Sequence, residues 1–302
     1  MASCQASCGS DDGIIKANPD IAGIGVIASF FSTTCLAVLL AIIIQLLDGL
    51  TGMKKSYKRW LRIPKRKRRM FLSAIFSKVL LGLNDSQLFT GTAVQIVAII
   101  QHCSISVYHF QIITELAFLS TITHLLTLIA LRSYFVQNRK SNVPRAFVMV
   151  LNLALLGYTS WVGYAFEMSP DASVKSSRVI CVTQSQKSTK AVFYVRWLFL
   201  LSAAIAGHLS ILIPIYLGIQ PSGRISKAIF RRGVQFRNWI LAPAYTIYGL
   251  VNASLVLRNT QAWNRHPPVH IEGSERDFGF GQILALLLLA LFLLPGWETF
   301  FE

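Results

Sequence analysis

The sequence carries little charge for its length. Only 14% of its 302 residues are Asp, Glu, Lys or Arg, whereas soluble domains carry roughly a quarter. Hydrophobic residues make up 53% of the chain, and the mean hydropathy is +0.52. A soluble core could not bury that much apolar surface, but a bilayer can when the apolar residues fall in blocks of about 20. This composition excludes an ordinary soluble domain and predicts a membrane protein.

Acidic residues are especially scarce, with 13 against 29 basic residues and a net charge of +16. Such an excess could indicate a nucleic-acid-binding protein. Here the basic residues lie in short loops beside apolar stretches, and that pattern sets membrane topology. We therefore predict the lipid bilayer, and not nucleic acid, as the main partner.

Familiar catalytic motifs are missing as well. The chain has no Walker-type loop, G-x-S-x-G elbow, H-E-x-x-H or C-x-x-C pair, and these motifs mark several large enzyme classes. The sequence therefore predicts no cofactor. The first 20 residues also lack the basic start and cleavable apolar run of a signal peptide. We expect residues 1–20 to form an extracytoplasmic segment and residues 21–302 a membrane domain.

Seven apolar stretches are candidates for membrane-spanning helices. They cover residues 21–47, 88–103, 108–131, 146–166, 191–217, 239–257 and 278–301. The second is short, because 16 residues of α-helix rise only about 24 Å. The predicted fold is all-α, a polytopic bundle of about seven transmembrane helices with a long basic loop at 48–87 and an outer loop at 167–190.

The apolar segment 70–83 lies within that basic loop. It is too short to cross alone and contains Lys78. Two interpretations are open: a helix lying on the inner leaflet, or a cytoplasmic extension of the second span. Asn84 followed by Gln87 resembles a helix-start signal, which favours a break at Asn84 and hence the interfacial helix.

The distribution of basic residues predicts the orientation. With the N-terminus outside and the C-terminus inside, 20 of the 29 basic residues fall in inner segments and 8 in outer ones. Because Lys and Arg bias sets orientation, we predict an N-out, C-in topology. The densest run, from Lys54 to Arg69, is expected to anchor the topology and bind anionic lipids.

Four of the five cysteines fall on the predicted outer side, where disulfides can form. Cys103 ends the second span and Cys181 lies in the outer loop, so a bridge between them is plausible. It would tether that loop across the bundle. Cys4 and Cys8 leave other pairings open.

Ionisable groups inside spans are the default functional candidates in a membrane protein. The third span has His109, Gln111, Glu115 and His124, and the fifth has Arg196 and His208. Gln111 and Glu115 are four residues apart and share a helical face. His124 lies about 180° round the helix from Glu115, so the two are not expected to line one pocket. We expect Glu115 and Arg196 to form an ion pair in the outer half of the bundle.

Catalysis stays open at this stage. A membrane cyclase acting on an isoprenoid needs an acid and aromatic walls, and Glu115 could supply the acid. The candidate wall residues are Trp161, Tyr164, Tyr194, Trp197 and Tyr245. His109 and His124 are further catalytic candidates. No metal site is predicted, because scattered intramembrane histidines more often make hydrogen bonds between helices.

Three stretches together resemble a known family. They are NPDIAGIGV before the first span, SISVYHFQIITELAFLSTITHLLTLIALRSYF through the third, and FGFGQILALLLLALFLL in the seventh. The chain resembles a family of fungal seven-span integral membrane proteins, some of them encoded in secondary-metabolite gene clusters of the indole-diterpene type. The most specific part is Tyr108-His109-Phe110 with Thr123-His124-Leu125.

The resemblance implies a fungal multi-pass membrane protein with an accessory role in secondary metabolism, beside other membrane biosynthetic enzymes. It supplies no active site. The alternatives are a membrane-embedded cyclase that uses Glu115 and a receptor-like or transporter-like protein. A G-protein-coupled receptor is disfavoured, because the third span ends in LRSYF and the seventh lacks Asn-Pro-x-x-Tyr.

Overall fold

A computed structural model of the protein describes residues 14–49, 66–167, 175–181, 191–218, 223–263, 267, 269–291, 294 and 297. At 49, 66, 163–167, 191–196 and 224–225 it describes the backbone alone. In chain order the elements are β1 (Ile14–Lys16), α1 (Pro19–Ala22), α2 (Ile24–Gly49), α3 (Arg66–Ile100), α4 (Val107–Ala130), α5 (Arg132–Gln137), α6 (Val143–Glu167), α7 (Ala191–Tyr216), α8 (Arg224–Phe236), a π-helical turn (Arg237–Leu241), α9 (Ala242–Leu257), a 3-10 turn (Gln261–Trp263), β2 (His270–Glu272) and α10 (Phe280–Leu291).

Five helical stretches in the described part of the chain are long and apolar enough to cross a membrane. They are Pro19–Asp48, Val107–Ala130, Val143–Val162, Trp197–Tyr216 and Ser226–Leu257. They correspond to the first, third, fourth, fifth and sixth predicted spans. The structure therefore supports an all-α protein with five candidate membrane-spanning helices, while the count of seven and the orientation stay predictions.

The two remaining predicted spans fall on α3 and α10. Helix α10 is apolar, but it has only 12 residues, and most of the predicted span beyond it lies outside the described residues. Helix α3 has 35 residues and is about 52 Å long, well beyond the roughly 30 Å of a bilayer core. It is also less apolar than the other long helices, since it begins with four basic residues and carries further charged and amide side chains along its length.

The predicted break at Asn84 is wrong. Helix α3 runs without interruption from Arg66 to Ile100, so the segment 70–83 is a continuation of the second predicted span. Asn84 does not cap a helix, because its side-chain oxygen lies 2.9 Å from His124 Nδ1 on α4. A contact between helices has replaced the local capping bond that the sequence indicated.

Helix α4 is the centre of the bundle. Within its apolar window 89% of the residues are buried, against 39–44% in the other four candidate spans. The helix packs against α2, α3, α6 and α9. Its N-cap is Ser106, the residue before Val107. The Ser106 hydroxyl oxygen accepts a hydrogen bond from the backbone N–H of His109, as expected of an N-cap serine. The outer helices keep an exposed apolar face, as lipid-facing helices do.

Several segments predicted to lie outside meet at one end of the bundle, which we call the cap end. β1 pairs in parallel with β2, in the register Ile14 to His270. Near them, Val107 donates its N–H to the Ser177 carbonyl, and Val179 donates to that of Ile105. The N-terminal segment, the start of α4, residues 175–181 and the segment before α10 therefore share one end.

The opposite end, which we call the basic end, carries the starts of α3, α6 and α8. Lys67 and Arg68 are exposed there, and Ser73 on α3 donates a hydrogen bond to the Asp48 carboxylate near the end of α2. The rest of the predicted lipid-binding run, residues 54–65, lies outside the described residues. Anionic lipid binding by this run stays a prediction.

Candidate functional site

Glu115 lies in the interface between α4 and α9 and is only 4% exposed. Its Oε1 accepts a hydrogen bond from Asn252 Nδ2 at 2.8 Å, so an amide from the sixth predicted span holds the carboxyl group. The side chain of Arg196, its predicted partner, lies outside the described residues, and the ion pair stays a prediction. Gln111, one turn before Glu115, has an Nε2 group without a hydrogen-bond partner among the described residues.

The aromatic residues proposed as cyclase walls are only partly near Glu115. Tyr245 is buried on α9 and interacts electrostatically with Glu115. Trp197 instead donates its indole N–H to Ser160 on α6, and Trp161 is 44% exposed. The side chains of Tyr164 and Tyr194 lie outside the described residues. Among the described residues, therefore, one candidate wall residue, Tyr245, lies at Glu115, and two others, Trp197 and Trp161, do not.

His109 belongs to a separate buried cluster at the cap end. Its Nε2 lies 2.9 Å from Glu275 Oε1, and its Nδ1 lies 2.9 Å from Ser106 Oγ. Tyr108 donates its hydroxyl to Glu275 Oε2 at 3.0 Å. The Glu275 backbone N–H in turn donates to Gln261 Oε1. This cluster fastens the segment before α10 to the start of α4.

The Ser106–His109–Glu275 arrangement contains the residue types of a hydrolase triad. Ser106, however, already serves as the N-cap of α4 and is only 8% exposed. A nucleophile needs a substrate within reach of its oxygen, and a buried capping hydroxyl lacks that access. We therefore interpret this cluster as a structural fastening.

His124 lies deeper in the bundle, on the side of α4 that packs against α3. Its Nδ1 is 2.9 Å from Asn84 Oδ1, and its Nε2 is 2.9 Å from Ser120 Oγ. The Ser120 hydroxyl donates its proton to the backbone carbonyl of Gln87 at 3.0 Å. All four residues are at most 2% exposed. The contact of Nδ1 with Asn84 and the bond from Ser120 to Gln87 thus join the second and third predicted spans.

Further polar contacts extend this site toward both ends of the bundle. Toward the basic end, Arg145 on α6 pairs with Asp85 on α3 through two nitrogens, with the Nη2–Oδ2 distance 2.7 Å. Toward the cap end, Asn152 donates to Thr92 and Thr159 donates to Gln95 Oε1. We call this line between α3, α4 and α6 the polar seam. Its members are Asn84, Asp85, Thr92, Gln95, Ser120, His124, Arg145, Asn152 and Thr159.

Two buried oxygens near the polar seam have no hydrogen-bond partner among the described residues. They are Oδ1 of Asn152 and Oε1 of Gln87. Buried polar groups normally find a partner, and an ordered water often provides it. These two oxygens give the seam sites at which ordered water can bind.

His208 lies on α7, close enough to His124 for an electrostatic interaction. Its Nδ1 is 2.8 Å from the Ala204 carbonyl in its own helix, and its Nε2 has no partner in the described part of the chain. Among the described residues, no three His, Cys, Asp or Glu side chains are grouped so that they could hold a metal ion.

Cys103 and Cys181 are both disulfide-bonded. The antiparallel bridge between Ser106 and Arg178 and the bond from Val179 N–H to the Ile105 carbonyl bring together the two segments that carry these cysteines. Cys4 and Cys8 lie outside the described residues, so a bond between Cys103 and Cys181 stays a prediction.

The predicted candidates therefore fall into three places: Glu115 beside α9, His109 at the cap end, and His124 with His208 in the core. Sequence reasoning missed the partners that complete these places, namely Asn252, Glu275, Asn84, and the Asp85–Arg145 pair. A signal existed for Asn252, because it is an amide within an otherwise apolar span. Glu275 gave none, since an acidic residue in a loop is ordinary.

Comparisons of the chain with protein-family models, with curated proteins and with solved structures find no match. The geometry of the chain itself must therefore carry the functional argument.

Proposed function

We propose that this chain is a multi-pass membrane protein with an accessory, transport-type role in fungal secondary metabolism, and that the polar seam is the path it uses. The observation that carries this proposal is a line of polar side chains that starts at the partly exposed Arg145–Asp85 pair and continues inside the bundle through His124 to Gln95 and Thr159. Ionisable groups at membrane depth commonly mark proton relays and solute pathways.

The physical reason lies in the cost of parting two helices. Opening an apolar interface to water exposes apolar surface at about 25 cal/mol per Å². Opening a polar interface exchanges hydrogen bonds between side chains for hydrogen bonds to water, which costs much less. Water is therefore expected to enter between α3 and α6 along the seam more readily than along their apolar contacts, although the same hydrogen bonds hold the two helices together where they face lipid. Asn152 Oδ1 offers a site for such a water.

Acid catalysis by Glu115 is the second candidate. The observation that favours it is a carboxyl group buried between α4 and α9 with a side-chain amide donor at 2.8 Å. This carboxyl could protonate an apolar substrate, as an isoprenoid cyclase requires. It lies apart from His124, so variants at the two residues separate the two candidates.

The test compares metabolites inside and outside fungal cells by mass spectrometry. Deleting the gene should leave the total amount of the affected product unchanged and raise its share inside the cells. His124→Gln should reproduce that shift, because Gln can hydrogen-bond but cannot carry a proton. Glu115→Gln is the matched control and should behave like the unaltered protein.

Two results would contradict the transport role. The first is loss of the product both inside and outside the deletion cells, which indicates a missing reaction. The second is loss of the product with Glu115→Gln at normal protein abundance, which indicates the acid catalyst. Membrane abundance of each variant is measured by immunoblot, so that loss of the protein is not mistaken for loss of function.

A further inference from the structure

A groove runs along the outside of the bundle between α2, α3 and α10. Its volume is about 440 Å³, within the range of roughly 300–1,000 Å³ that small-molecule sites occupy. It lies on the side of α3 away from the polar seam, and no member of the seam lines it. The groove is therefore a separate feature, and the inference from it does not depend on the proposed function.

The lower walls of the groove are apolar. Val26 and Phe30 on α2 form its floor with Ala285 on α10, and all three are at most 7% exposed. Its rims are Val97 on α3 and Leu284 on α10, which are 37% and 40% exposed. The groove therefore opens sideways between α3 and α10. In a bilayer that opening faces the acyl chains.

Contacts between helices close the groove toward the basic end. Ser86 on α3 donates a hydrogen bond to the Leu288 carbonyl on α10 at 3.3 Å, and Gln87 donates to the Phe30 carbonyl on α2 at 3.0 Å. These two bonds join the three helices at the basic-end limit of the groove. A molecule in the groove would therefore have its apolar end there and its other end at the cap end.

The cap end of the groove is polar. Asn18, Asp20 and Gln101 lie there, and Asp20 is the only charged residue among the described residues that line the groove. Its Oδ1 accepts the Gly281 N–H at 3.1 Å. A Cβ atom on Gly281 would come within 2.7 Å of that oxygen, so glycine is what lets the carboxylate rest against the start of α10.

These features define the chemistry of a ligand. An apolar channel open to lipid fits a hydrocarbon chain, and a single carboxylate at its end attracts a hydrogen-bond donor or a cation and repels an anion. We propose that the groove binds a membrane-dissolved, single-chain amphiphile whose polar end is an alcohol or an amine. Its chain lies along Val26, Phe30 and Leu284, and its polar end donates to Asp20.

The experiment uses a long-chain alcohol that carries a photoreactive diazirine, with the full chain purified in detergent. After irradiation, mass spectrometry should find the label on peptides of α2 and α10 that contain Val26, Phe30 or Leu284. An excess of the unmodified alcohol should suppress it. Label spread evenly over the lipid-facing surfaces of all the helices would overturn the proposal.

A matched pair of variants on α10 tests the position of the chain. Leu284 lines the groove, whereas Leu287 is 60% exposed and does not. Leu284→Trp places a larger side chain in the groove and should reduce labelling roughly tenfold, because the probe cannot occupy the space that the indole ring takes. Leu287→Trp should change it less than about twofold, as a surface substitution does. Equal labelling of the two variants would overturn the proposal.

The polar end is tested by changing Asp20 and the probe together. Asp20→Asn keeps an oxygen for the Gly281 N–H and removes the charge. The unaltered protein should prefer the alcohol probe to the matching fatty-acid probe by up to about fivefold, because Asp20 is exposed and an exposed charge contributes at most about 1 kcal/mol. Asp20→Asn should reduce that preference. A fatty acid that labels the unaltered protein as well as the alcohol does would overturn the assignment of the polar end.

The position of the chain has a second test. If Leu284→Trp fails to fold, Ala93→Phe fills the groove from α3 and should reduce labelling in the same way.

Discussion

Helix α3 presents two opposite kinds of surface to the rest of the bundle. One side carries Asn84, Asp85 and Gln95 and is joined to α4 and α6 through the polar seam. The other side carries Ala93 and Val97 and borders the groove. The polar side is closely fastened, and the apolar side is left open.

This contrast follows from the solvent. In water, apolar side chains drive two surfaces together. In a bilayer the lipid tails are as apolar as the side chains, so an apolar face gains little by closing, and hydrogen bonds with close backbone approach fix how helices meet. The seam therefore sets the position of α3, and the apolar groove persists because lipid or a ligand can occupy it.

The largest expected effect comes from disturbing the close approach of α3 to α4. A Cβ atom at Gly91 would lie 2.3 Å from Ser120 Oγ, and that hydroxyl is already engaged with Gln87 and His124. We expect Gly91→Ala to destabilise the protein by about 3 kcal/mol, the upper range for overpacking. The midpoint of thermal unfolding in detergent measures it.

Gly157 on α6 provides the control for Gly91. Its nearest neighbouring side-chain atom, on Leu201, would be 3.9 Å from an added Cβ. Gly157→Ala should therefore raise the unfolding midpoint slightly, because alanine gains about 0.5–1 kcal/mol over glycine inside a helix. Equal destabilisation by the two substitutions would contradict a tight contact specific to the seam.

The apolar helices could be predicted from the sequence, and their contacts could not. Hydropathy located the helices that contain His109, Glu115, His124 and His208, because about 20 apolar residues in a row have few other uses. It could not choose the neighbour of Glu115, since the partner depends on how α4 and α9 rotate against each other. The sequence did not indicate this neighbour, Asn252, which donates to Glu115 in the structure, and the ion pair with Arg196 stays a prediction.

The error at Asn84 has the same origin. Asn84 and Gln87 match a local capping signal, but the capping bond competes with contacts from other helices. Here the Asn84 side chain engages His124, 40 residues further along the chain, and the Gln87 side chain engages Phe30. A polar residue inside a membrane segment is thus better treated as half of a contact between helices than as a helix end.

A smaller effect is expected from removing the central side chain of the seam. His124→Leu would leave Asn84 Oδ1 without its donor and remove one contact of Ser120. We expect a loss of about 1–2 kcal/mol, since hydrogen bonds between membrane helices average about 0.6 and reach about 1.7 kcal/mol. The same detergent unfolding assay measures it.

His208→Leu is the comparison for His124. Its only hydrogen bond among the described residues is to Ala204 in its own helix, and its Nε2 has no partner there. We expect a change within about 0.5 kcal/mol, because a Leu side chain removes an unsatisfied buried nitrogen while it gives up one local bond. A larger loss for His208→Leu than for His124→Leu would mean that the seam does not hold α3 to α4.

Within the seam, the smallest effect is expected at the basic end, where Asp85 and Arg145 meet with side chains that are 30% and 27% exposed. Solvent screens a pair at that exposure, so a double-mutant cycle of Asp85→Asn and Arg145→Gln should give a coupling free energy of about 0.5–1 kcal/mol. That coupling should fall as salt is added. A coupling free energy well above that of the buried His124 contacts, or one insensitive to salt, would place the strongest contact of α3 at the surface. The buried part of the seam would then not be what holds α3 in the bundle.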